Sequence, residues 1–91
     1  MNPEIRPAVL VALTALRKAE SDLGGLPSTR HVVTLEARCA AFRTAVLGVL
    51  VSQVSRVTPA QAAGLAARVL VLAGEVDEAR EGIERVRARQ R

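Results

Sequence analysis

Tryptophan and tyrosine are absent from the 91 residues, and Phe42 is the only phenylalanine. Single-stranded nucleic acids and looped RNA are gripped by stacking on aromatic faces, so the chain offers no such platform. A core of Ala, Val and Leu buries little area per residue, at roughly 25 cal/mol per Å² of apolar surface, which favours long, closely packed helices over one deep centre. Cysteine is nearly missing as well. Cys39 stands alone, so no intrachain disulfide can form and the stapled framework of small secreted domains is excluded. Lys18 is the only lysine and His31 the only histidine.

Long apolar runs are also lacking. The longest aliphatic stretch, residues 46–51, lies between Arg43 and Arg56, far short of the ~20 residues a membrane-spanning helix needs. Met1-Asn2-Pro3-Glu4 has neither the basic nor the apolar region of a secretory signal. The expectation is a cytoplasmic protein, or one packaged inside a larger assembly. Thirteen basic against nine acidic residues give a formal charge of +4. Arg with Ala, Val, Leu and Gly is also what GC-rich coding produces, so this charge does not by itself select a nucleic-acid partner.

What is present is helical periodicity. A chain of this length has room for one domain, residues 1–91. Gly24-Gly25-Leu26-Pro27 and Thr58-Pro59 punctuate it into three segments, and no strand-like alternation appears between them. The expected architecture is therefore all-α: a three-helix bundle, or long helical hairpin with a shorter N-terminal helix, joined by coiled-coil-like seams. Helices are expected over about residues 4–23, 29–56 and 59–89.

The first segment carries Ile5, Val9, Ala12, Leu13, Leu16, Ala19 and Leu23 on one stripe, while Leu10 and Val11 interrupt its polar side. Gly24 is expected to end that helix in the left-handed conformation. The second opens with Ser28 or Thr29 as N-cap, and Val32, Leu35, Cys39, Phe42, Val46, Val49 and Gln53 form a heptad seam. Val33, Ala40, Leu47, Leu50, Val51 and Val54 make a second apolar surface beside it. The third begins with a capping box, Thr58-Pro59-Ala60-Gln61, and holds an unbroken seam of Leu65, Val69, Leu72, Val76, Ala79, Ile83 and Val86. From Glu75 onward its other positions turn charged, with Arg80/Glu84 and Glu81/Arg85 spaced to pair. Gly64 and Gly74 are expected to permit close approach of a neighbouring helix.

Candidate chemistry is sparse. His31 and Cys39 stand eight residues apart, about 12 Å along one helix, so they cannot form a nucleophilic dyad within the chain. His31 reads as an exposed or capping side chain and Cys39 as a buried, inert hydrophobe. The carboxylates of Glu75, Asp77, Glu78, Glu81 and Glu84 interleave with Arg on a solvated face, and no glycine pattern forms a phosphate loop. No catalytic, cofactor-binding or metal-binding residue is assigned, and the chain reads as a non-enzyme.

The functional expectation is a helical protein–protein interaction or assembly module, either a self-associating bundle or an adaptor-like or chaperone-like clasp for a partner helix. If the turn at Gly24–Pro27 is tight, the first helix lies over the start of the second and the end of the third. The opposite, hairpin end would then be uncovered, and Val49, Leu50, Val51, Val54, Val57, Ala62, Ala63 and Ala66 would form the protein contact surface. The alternative is a basic accessory protein touching nucleic-acid backbone through Arg85, Arg87, Arg89 and Arg91. Residues 75–91 hold five charges of each sign, which weakens that alternative.

Overall fold

The computed structural model describes residues 3–51 and 56–90, and among them there are three helices and no strand. These are α1 (Arg6–Gly24), α2 (Arg30–Val51) and α3 (Pro59–Arg89). They pack as an elongated all-α bundle, 53 × 17 × 15 Å.

Local chemistry fixes most of the ends. α3 starts at the expected capping box: Gln61 N donates to Thr58 Oγ1 at 3.1 Å, and Thr58 N donates to Gln61 Oε1 at 3.0 Å. Thr29, rather than Ser28, caps α2, its Oγ1 accepting from Val32 N at 3.2 Å. α1 ends differently from the sequence expectation. Gly24 is its last helical residue and the cap is Gly25, with φ −91° rather than a left-handed value. Gly25 N and Leu26 N bond back three residues to Asp22 O and Leu23 O, tightening the last turn, and Pro27 then excludes a further helical donor. Arg56, expected to end the second helix, is not helical; Gln53 and Val54 lie outside the described residues.

The core is a stripe from each helix. Ile5, Val9, Ala12, Leu16, Ala19 and Leu23 of the α1 region meet Val32, Leu35, Cys39 and Val46 of α2 and Ala62, Ala66, Val69, Leu72 and Val76 of α3. The two long seams share this core but are not each other's main neighbours: α1 makes the most extensive contact with α3, and α2 with α3 the least. α1 is thus the shared wedge, and Phe42 packs against the core without being enclosed by it. Gly64 and Gly74 do not mediate close approach, because a Cβ added at either would meet nothing within 4 Å.

Cross-helix ion pairs record the axial register. Lys18 Nζ bonds Asp22 at 2.9 Å and Asp77 at 3.3 Å, Arg43 bonds Glu20 at 3.1 Å, and Arg38 bonds Glu75. With Arg43 beside Glu20, α1 ends about level with Cys39, and the first nine residues of α2 run on about 13 Å past it. The linker Gly25–Thr29 makes this stagger possible. Five irregular residues can reach about 16 Å, and the residue before a proline is held extended. In the other direction, thirteen residues back from Lys18, Ile5 falls about level with the first turns of α3.

That stagger overturns the expected placement of α1. It lies over the later part of α2 and the earlier part of α3, not the reverse. The fully buried positions of α3 accordingly run from Ala62 to Val76 and stop there.

Candidate functional site

The residues expected to form the contact surface are divided by this register. Ala62 and Ala66 are core, 4% and 7% exposed, so neither is available to a partner. Val49, Leu50 and Val57 are partly buried against the same core. Ala63 is exposed, and Val51, the last residue of α2, is 78% exposed. Val54 falls outside the described residues. α1 is long enough and correctly offset to shelter the α3 side of this end, whereas Val51 and Ala63 stay exposed.

Exposure of the seam occurs instead at the other end. Beyond Gly24 there is no first helix beside α3, and only the linker and the opening turns of α2 accompany it. A cleft of about 490 Å³ opens there. Pro27 and Val32 form one wall and Ala79, Ile83 and Val86 the other, with Gly82 beside them. Ile83 is half-buried and Val86 is 53% exposed, although both continue the seam that Leu72 and Val76 bury completely. A Cβ on Gly82 would meet only the Arg85 guanidinium, at 3.9 Å, so the cleft is open at that point.

Among the described residues His31 and Arg87 are the ionisable groups that line the cleft. Ala79, Gly82, Ile83, Val86 and Arg87 share one face of α3; Glu81 lies about 160° from Ile83, while Glu78 and Glu84 border that face, one turn before Gly82 and Arg87 respectively. Arg80 turns to Asp77 at 3.7 Å rather than to Glu84.

The remaining candidate groups are dispersed. Arg85, Arg87 and Arg89 are exposed; Arg85 and Arg89, four residues apart, share one face of α3, and Arg87 lies about 160° from Arg85. Arg91 is outside the described residues. His31 is exposed at the start of α2, with Thr29 rather than His31 doing the capping. Cys39 is buried, and its thiol is pushed above its ordinary range by desolvation, then by the nearby Glu20 carboxylate, with Arg38 and Arg43 opposing. A thiol so placed is a poor nucleophile. Among the described residues no group of three His, Cys, Asp or Glu side chains could hold a metal ion. No described helix is long and apolar enough to cross a membrane.

A second shallow groove runs between α1 and α3, where Leu10, Val11 and Leu70 are about half exposed. Leu10 and Val11 were visible as intrusions on the polar side of the first helix. The cleft at the open end was not identified from sequence. Its signal was the continuation of the α3 seam through Ile83 and Val86 after the surrounding residues had turned charged. Comparison with protein-family models, curated proteins and solved structures finds no match to this chain.

Proposed function

We propose that the chain is a non-enzymatic helical protein–protein interaction module whose contact surface is the cleft at the open end of the bundle. One observation carries this reading: the α3 seam outruns its cover, so Val86 is 53% exposed and Ile83 only partly buried in a concave apolar site bordered by Pro27. Leaving that surface wet forgoes burial worth roughly 25 cal/mol per Å², and concave apolar patches on small proteins mark contact sites. The fold below the cleft supplies a rigid base, since Leu72 and Val76 are fully enclosed. Cytoplasmic placement belongs to the same proposal and is supported by a single, buried, unpaired cysteine.

Backbone binding to nucleic acid is the weaker reading, because only Arg85 and Arg89 share one face of α3 and Glu78, Glu81 and Glu84 interleave with the arginines.

The test is site-specific photo-crosslinking in the producing cell. A benzophenone amino acid replaces Val86 in one variant and Glu81, on the far face of α3, in another. The expected result is a discrete polypeptide adduct from position 86 that position 81 does not give, identified by mass spectrometry. No adduct from position 86, or the same adducts from both, would overturn the reading.

A further inference from the structure

The outer side of α2 carries a second seam that the bundle does not use. Val33, Ala37, Ala40, Thr44, Leu47 and Val51 recur at intervals of four and three residues, the spacing of a coiled-coil seam. Val33, Leu47 and Val51 are 53%, 45% and 78% exposed, Ala37 and Thr44 are exposed, and Ala40 is half-buried. None of the six lines the cleft at the open end, so this surface is separate from the one proposed above. A solvated helix face carries polar side chains, whereas an apolar seam of this period is closed by another helix. The single hydroxyl on it needs no outside partner, because Thr44 Oγ1 donates to Ala40 O at 3.1 Å.

The charges beside the seam identify that helix. Glu36 and Arg43, seven residues apart, flank it on one side, and Thr34, Ala41 and Gly48 flank it on the other. Glu36 makes no ion pair among the described residues. Arg43 bonds Glu20 of α1 at 3.1 Å, and its five donors have capacity for a second carboxylate. Arg17 and Glu20 are the α1 charges on that flank, beside Leu47. Of the other charged or titratable groups of α2, Arg38 is turned to Glu75 on α3, and His31 lies about 160° from the centre of the seam. Arg30 stands one heptad before Ala37, at the end of the seam and away from the flank that holds Arg17.

We infer that α2 pairs antiparallel with α2 of a second copy of this chain, about a two-fold axis level with the junction of Arg38 and Cys39. Val33 then meets the partner's Thr44 and Ala37 meets the partner's Ala40, each twice, with small side chains at the centre allowing close approach. The same register brings Glu36 within about 3 Å of the level of the partner's Arg43, again twice. Each Arg43 lies between Glu20 of its own chain and the partner's Glu36, and with Arg17 the cluster is balanced in sign. Arg30 comes level with the partner's Leu47, where its stem covers the leucine and its head stays in water. Parallel pairing instead sets Glu36 and Arg43 opposite Ala41 and Gly48, with no opposite charge to meet.

Sedimentation equilibrium of the full chain, up to about 1 mM, covers the range of a small, weak interface. The expected result is a reversible dimer with a micromolar Kd; a chain still monomeric at the top of that range overturns the inference. Ala37→Glu places a charge at the centre of the seam on an exposed position, so the dimer should weaken about tenfold or more while the dilute chain melts as before. Ala45→Glu, exposed about 120° from the seam, should leave the dimer intact, and equal effects of the two would place the contact elsewhere and overturn the seam. Glu36→Arg and Arg43→Glu each appose like charges twice and should weaken their own dimers about three- to tenfold. Mixing those two chains restores opposite charges at both pairs, so a heterodimer should form in preference to either homodimer. Absence of that preference overturns the antiparallel pairing.

Discussion

Along α3 the apolar seam is enclosed near its start and emerges into solvent near its end. At the hairpin end, small side chains such as Ala62 and Ala66 are enclosed, because α1 lies over them and brings Ile5 and Val9 into the same core. At the open end, the larger Val86 is 53% exposed and Ile83 is only partly buried, because α1 ends about level with Ile83. Hydropathy alone ranks them the other way. Axial register, not the apolarity of a segment, decides which surface is left for a partner.

The strongest way to break this comparison is to cut equal side chains from the two regions. Leu72→Ala removes an enclosed side chain from the sheltered part of α3 and is expected to cost about 2 to 5 kcal/mol. Ile83→Ala, in the half-buried stretch, should cost less than half as much. Urea unfolding followed by circular dichroism gives both values. Equal losses would mean that the open end is as tightly packed as the core.

Phe42 sharpens the same contrast within α2. A central ring would lose about 3 to 5 kcal/mol on truncation to Ala. Because Phe42 lies against the core without being enclosed, the expected loss is smaller, about 1 to 2 kcal/mol on the scale of partial burial. A loss at the upper figure in the same unfolding assay would place the ring at the centre.

A smaller effect is expected at the start of α3. Thr58→Ala removes the side-chain acceptor of the capping box and should cost about 1 kcal/mol, read as a lower melting temperature. Gly in place of Thr58 should cost only a few tenths of a kcal/mol. The reverse order would mean that the hydroxyl does not hold this end of the helix.

The least of these effects is electrostatic. The hydrogen bonds that Lys18 Nζ donates to the Asp22 and Asp77 carboxylates raise its pKa above the ordinary 10.5. A raised amine contributes stability that is fully present below its unfolded pKa and is lost as pH rises through the folded value. The ammonium is solvent-exposed, so the effect is small. Lys18→Met should lower the melting temperature slightly near neutrality, and the difference should vanish as pH rises above about 10.5, where the wild-type advantage disappears. An advantage that grows with alkaline pH contradicts the pairing.

The sequence carried the local structure well. Heptad spacing in α3, the Thr58-Pro59-Ala60-Gln61 signature and the stop at Gly24–Pro27 each report interactions within a few residues, so three helices and their buried faces could be read directly. The stagger of α1 could not. It depends on how far five linker residues travel before Thr29 starts a new helix, and Leu26 with Pro27 carries that choice in backbone path rather than in periodicity. Assuming a tight turn there reversed the two ends and directed attention to Ala62 and Ala66 instead of Ile83 and Val86.

Placement of α1 is tested most directly by a paramagnetic label at its N-terminus. In a Cys39→Ala background, Arg6→Cys offers an exposed attachment point, and amide signals of α3 report which residues lie nearby. The predicted result is strong broadening in the first turns of α3, around Ala62 and Ala66, with signals from Ile83 to Arg89 left sharp. Broadening centred on Ile83, with Ala62 and Ala66 unaffected, would contradict the account.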